Sequence, residues 1–196
     1  MPDSPEINDE LIAERRTIGA MPDDMPRGMA KIIHWIDSFS LWIGRIVCWL
    51  TVPLFLAMVY EVFVRYAFVA PTLWAYDISR MLYGAMFMLG AGYALMRGVH
   101  IRADFLYRQW PVRVQGAVDF ALYFFLYFPG LIVFLWAASD FTLDAWSRGE
   151  RGMDSAWMPY LAPARTTLPV GVLLLLVQGV SEILKSYYAM TRGRWP

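Results

Sequence analysis

The sequence predicts an all-α integral membrane protein with four transmembrane helices, an N-terminal interfacial helix and both termini in the cytoplasm. Three observations predict it. Of 196 residues 58% are hydrophobic, only 17% are charged and the mean hydropathy is +0.41, whereas about a quarter of the residues of a soluble domain are charged. The apolar residues gather into four long runs separated by proline-bearing or charged segments, each run long enough to cross about 30 Å of hydrocarbon as a helix. Lysine and arginine near the run ends are distributed eleven to three in favour of the side that holds both termini, which is the cytoplasmic side by the positive-inside rule.

Residues 1–28 are rich in Pro, Asp, Glu and Arg and show little hydrophobic periodicity, so a disordered cytoplasmic tail is expected. Acids precede the first arginines and no apolar core follows for some 30 residues, which is not the pattern of a signal peptide. Ile32, Trp35, Ile36 and Phe39 then recur at helical spacing, fitting either a short helix at the interface or an extension of the first span. The membrane domain is placed at 29–190. Its first span covers about 42–68, with Pro53 as a kink, and its second about 73–96 after an Ala70-Pro71 turn. Gly90, Ala94 and Gly98 form a small-residue stripe there that would admit a close helix contact.

Residues 97–113 hold Arg97, Arg102, Arg108 and Arg113 against one acid, Asp104, and read as a basic inner loop. A third span at about 114–146 is dense in aromatics and carries Pro129-Gly130, an expected kink. The loop 147–164 mixes charge with Trp157, Pro159 and Pro163 and reads as an ordered interfacial excursion. A fourth span at about 166–188 has Pro169 in its first turn, and residues 191–196 form a short cytoplasmic tail.

Ionisable residues inside a membrane cost about 2.5–3.5 kcal/mol each at a helix centre and call for partners. The hairpin of spans one and two contains four: Glu61, Arg65, Asp77 and Arg80. Either pair could close within its own helix. Equal depth in an antiparallel hairpin whose turn is at Ala70-Pro71 instead sets Glu61 against Arg80 and Arg65 against Asp77, a four-residue charge clasp. Contact of the arginines with lipid phosphate or a partner subunit is a second role, and an ion path a third. The path is disfavoured because no chain of acids continues across the other spans. Glu182 and Lys185 read as a local pair near the inner end of span four, and Gln178 as a hydrogen bond across helices.

No catalytic constellation, phosphate loop, metal-ligand cluster or basic nucleic-acid footprint is present in the pattern. The single cysteine, Cys48, allows no internal disulfide. His34 and His100 are both expected near the cytoplasmic edge, which leaves no bis-histidine pair for haem. No enzyme activity, metal or cofactor is therefore expected.

Arg65-Tyr66, Pro71-Thr72-Leu73-Trp74-Ala75-Tyr76-Asp77, Arg80, Gly90-Ala91, Arg97-Gly98-Val99-His100-Ile101-Arg102 and Asp104 occur in that order. This series resembles the small membrane subunit (DctQ-type) of tripartite ATP-independent periplasmic (TRAP) transporters. Where many members carry Trp-x-Glu-Glu, this chain reads Trp74-Ala75-Tyr76-Asp77 and keeps one carboxylate. The resemblance singles out Trp74, His100, Arg102 and Asp104 as motif residues. It implies a location in the bacterial inner membrane and two protein partners, a large TRAP membrane subunit and a periplasmic solute-binding protein. The implied role is to brace the large subunit during sodium-coupled uptake of an organic acid or similar solute. A stand-alone channel or exporter, and the membrane anchor of a redox complex, are the alternatives from other classes.

Overall fold

The computed structural model describes residues 22, 24–98 and 110–196. It is helical throughout, and among the described residues the only strand-like pairing is an isolated bridge between Arg151 and Tyr160. The helices are α1 (Arg27–Cys48), α2 (Thr51–Ala67), α3 (Ala75–Met96), α4 (Val112–Leu122), α5 (Phe128–Arg148) and α6 (Ala162–Arg192), with a π-helical turn at Tyr123–Tyr127 between α4 and α5. Three helical stretches among the described residues are long and apolar enough to cross a membrane: Arg27–Ala67, Val112–Arg148 and Ala162–Arg192. Expectations that fall on residues 1–21 and 99–109, including the roles of His100, Arg102 and Asp104, lie outside the described residues.

Proline chemistry explains most departures from regular helix. Pro53 has no N–H to give to the Trp49 carbonyl, and that carbonyl is taken by the Val52 N–H at 3.1 Å instead. The long apolar stretch is accordingly broken at Trp49-Leu50 into α1 and α2. Residues 29–39 are part of α1 rather than a separate element. In the third stretch the irregularity falls one turn before the expected Pro129 kink, because a proline disturbs the carbonyls of the preceding turn. In the last stretch the helix starts at Ala162 with Pro163 in its first turn, so Pro169 is interior. It frees the Arg165 carbonyl, and the Thr142 hydroxyl of α5 lies 3.1 Å from that oxygen. The same hydroxyl lies 2.7 Å from the Ala138 carbonyl of its own helix, so its one proton is shared between the two oxygens, a partial compensation of the kind hydroxyl side chains give prolines in membrane helices.

The core runs along α6, which packs against α1, α3, α4 and α5. Close approach is secured by glycine. A Cβ on Gly171 would stand 2.7 Å from the Met88 carbonyl oxygen of α3, and one on Gly44 of α1 would run into the Tyr93 ring. The expected stripe of Gly90, Ala94 and Gly98 is not the contact: a Cβ on Gly90 would sit at an ordinary 3.8 Å from Val47, and one on Gly98 would meet nothing. Of the tail expected through residue 28, the described part from Asp24 on packs against the bundle. Met25 is buried with Ile33 and Tyr188, and Asp24 accepts hydrogen bonds from the Tyr188 hydroxyl at 2.6 Å and from Arg194. The Tyr188 hydroxyl first, and then the Arg194 guanidinium, hold the Asp24 carboxyl below its ordinary range.

Because the obstacle at Gly171 is backbone, Gly171→Ala is expected to destabilise the bundle by about 1–3 kcal/mol. Gly130→Ala, where a Cβ meets open space, should be neutral or stabilising. Unfolding in mixed detergent micelles measures both, and equal behaviour of the two variants would contradict the close α3–α6 approach.

Candidate functional site

The four hairpin charges do not pair across the hairpin. Thr51 of α2 lies against Met86 of α3, with its hydroxyl 3.4 Å from the sulfur, and in that antiparallel register the residue level with Arg80 is Ala57, not Glu61. Residues 68–74 lie outside regular helix and Val69 takes a positive φ of 53°, but this turn is itself centred on Pro71; the difference lies in how α2 and α3 pack and in the nearer partners that the turn and the 149–161 loop offer.

Each acid has found a different task. Arg65 closes on Glu61 within α2, through Nε at 3.0 Å and a terminal nitrogen at 2.6 Å to Oε1. The other Glu61 oxygen accepts the backbone N–H of Thr72 at 3.0 Å and the Thr72 hydroxyl. Glu61 thus ties down the turn. Asp77, whose side chain is only 1% exposed, accepts the Ser155 hydroxyl of the 149–161 loop on Oδ2. Arg80 stands 3.5 Å from Asp77 and makes its shorter bond, 2.7 Å, to Asp154 of the same loop.

The 149–161 loop is held from its other side as well. Arg165 of α6 clamps both oxygens of Glu150, with NH2 at 2.6 Å from Oε1, and its guanidinium lies 3.9 Å over the Phe141 ring. Within the loop Gly152 N–H meets the Pro159 carbonyl at 2.8 Å and Leu161 N–H the Glu150 carbonyl at 3.0 Å. These bonds and the three side chains Glu150, Asp154 and Ser155 pin the loop to α3 and α6. Trp74 stacks on Tyr60, 5.7 Å between ring centres, and links the turn to α2.

A second polar constellation joins α1 to α6. Asp37 accepts Gln178 Nε2 at 2.9 Å and the Ser181 hydroxyl at 2.7 Å on Oδ1, and Lys185 Nζ at 2.8 Å on Oδ2. The Ser40 hydroxyl donates to Gln178 Oε1 at 2.7 Å, and Lys185 reaches Glu182 at 2.8 Å. Gln178 and Ser181 are fully buried. The expected interhelical bond of Gln178 and the Glu182–Lys185 pair are both present, but Asp37, Ser40 and Ser181 were missed as their partners. A signal existed: 178, 181, 182 and 185 recur at three- and four-residue spacing on one face of α6, as 37 and 40 do on α1. Each pattern alone is too short to name the other.

These arrangements hold helices and loops. Every buried side-chain nitrogen and oxygen among the described residues has a hydrogen-bond partner, and no group of His, Cys, Asp and Glu that could hold a metal occurs among them. Arg97, at the other end of α3, bonds the Tyr93 hydroxyl at 3.1 Å.

Replacing Asp37 by Leu leaves Gln178, Ser181 and Lys185 short of an acceptor and should cost about 2 kcal/mol or more. Exposed Asp140→Leu serves as the reference in the same unfolding assay, and an equal loss would sink the seam's importance. Ser155→Ala removes a hydroxyl bond to a buried carboxylate, worth about 1.5–3 kcal/mol. The 149–161 loop should then be cut by trypsin at Arg151 at least tenfold faster, with the melting temperature of the bundle little changed. Unaltered protection would show that Asp77 does not tether the loop.

No curated protein matches this chain. The family model described as "Tripartite ATP-independent periplasmic transporters, DctQ component" matches residues 54–187, which takes in the hairpin with its four charges, the tethered loop and nearly all of α6. That span is about two-thirds of the sequence, and it describes a transporter component rather than an enzyme. The chain therefore belongs to the DctQ family, the small membrane component of TRAP transporters.

Proposed function

We propose that the chain is the bracing subunit of its transporter. It packs against a large membrane subunit and enlarges the part that stays still while that subunit performs sodium-coupled uptake of an organic acid or similar solute, delivered by a periplasmic binding protein. In this reading it sits in the bacterial inner membrane with four spans. The fourth is α3, whose 22 residues extend about 33 Å. Both termini are cytoplasmic, and the 68–74 turn and 149–161 loop face the periplasm.

The observation that carries the reading is where the polar groups go. In a carrier, polar and ionisable side chains line a route. Here Glu61 and Asp77 secure loops, and Asp37, Gln178 and Lys185 secure one helix to another. The polar chemistry goes into stiffness, as a brace requires. The charge clasp expected from sequence is replaced in this account by two loop tethers built from the same four residues.

The full-length chain, tagged and purified from membranes in which the neighbouring transporter genes are co-expressed, is expected to carry a large multi-span protein with it in fixed ratio. Vesicles holding both, supplied with binding protein and a sodium gradient, should take up solute, and vesicles holding this chain alone should not. Flux through the chain alone, or purification without a multi-span partner, would refute the proposal.

A further inference from the structure

A groove of about 460 Å³ runs between α3 and α6 at the end of the bundle where the tethered loop lies. Arg80 and Arg165 stand at its head, while Gly84, Phe87, Met88 and Leu168 line its length. Arg80, Gly84 and Met88 follow one another at four-residue spacing on the same face of α3, and below Met88 the groove is closed by the tight approach of Gly171 to the Met88 carbonyl. A site with two guanidinium groups at one end and a mainly apolar lining below, in which Tyr83 and Thr167 are the other polar side chains, has the polarity of a phospholipid.

The stretch of α3 from Arg80 to Met88, about 12 Å at 1.5 Å per residue, gives the groove room for a length of acyl chain. At Gly84 the helix face is open, since a Cβ there would meet no atom within 4 Å.

The guanidinium groups retain binding capacity. Each has five N–H donors. Arg80 uses two of its nitrogens on Asp154 and Asp77, and Arg165 uses two on Glu150. The Arg80 side chain is 43% exposed and that of Arg165 19%, so donors remain for a phosphodiester, an acceptor that arginine matches well.

We infer that this groove is a phospholipid site: the headgroup phosphate is held between Arg80 and Arg165, and one acyl chain lies along Gly84 to Met88. The bound lipid fills the groove between the outer parts of α3 and α6 and so completes the bundle beneath the tethered loop. The inference rests on the membrane location and not on the bracing role.

Native mass spectrometry of the full-length chain, titrated with dioleoylphosphatidylglycerol, tests it. One lipid is expected to stay bound at activation energies that strip the remainder. Arg80→Gln should weaken that binding at least tenfold. Gly84→Leu removes no charge and fills the groove, and should weaken it as much with the melting temperature preserved, whereas Gly130→Leu on open surface of α5 should bind as the unaltered chain does. Inorganic phosphate and water-soluble glycerophosphoglycerol at millimolar concentration should not compete. Competition by either would make the site one for a free anion, and normal lipid retention by Gly84→Leu would overturn the proposal. If Gly84→Leu keeps its lipid but no longer holds the large subunit, the groove is a seat for a protein helix and the lipid assignment is wrong.

Discussion

A polar group withdrawn from water inside a membrane-embedded bundle must find its partner within the protein, and the rest of this structure follows from how that demand is met. An unmatched buried donor or acceptor costs several kcal/mol in hydrocarbon, comparable to a large share of the stability of a small domain. Asp37 therefore draws three donors from α6, the buried carboxylate of Asp77 draws a hydroxyl from a loop 78 residues away, and the carbonyl freed by Pro169 has the Thr142 hydroxyl beside it. Each of these contacts fixes the relative position of two elements, so satisfying polar groups and specifying the fold are here one process.

The last helix is the axis on which this happens. It touches α1, α3, α4 and α5, and glycines at Gly171 and Gly92 bring it close to α3 and Gly116 brings it close to α4. Without a hydrophobic drive between helices in lipid, such contacts depend on dispersion and hydrogen bonding at short range, and both need the backbones to approach. By contrast α2 contributes a single buried residue, Ala57, and is joined to the bundle mainly through α3 and the Glu61 tether. The bundle is thus centred on α6, with one apolar helix on its flank.

The hairpin shows how far a local pattern reaches. Four charges in apolar surroundings were identifiable from spacing alone, and so was their need for partners. Their partners were not identifiable, because depth matching weighed only the two helices, whereas the groups met are Thr72 of the turn and Asp154 and Ser155 of a distant loop. The seam of Asp37, Gln178 and Lys185 was half visible for a related reason: a helix face can be read from one segment, but a contact requires two segments separated here by 141 residues.

The sequence by itself determined that the chain is helical and built for a membrane, that prolines disturb its helices, and the family to which its hairpin motif belongs. These follow from hydropathy, from proline's missing donor and from an ordered motif, all properties of neighbouring residues. Only the tertiary structure decided which acid meets which donor, that Gly171 and Gly44 rather than the Gly90 stripe bring helices together, and that two arginines stand at the head of one apolar groove. Those outcomes depend on which loop folds back onto the hairpin and on the register of helices against α6, which are set by the packing of the whole chain.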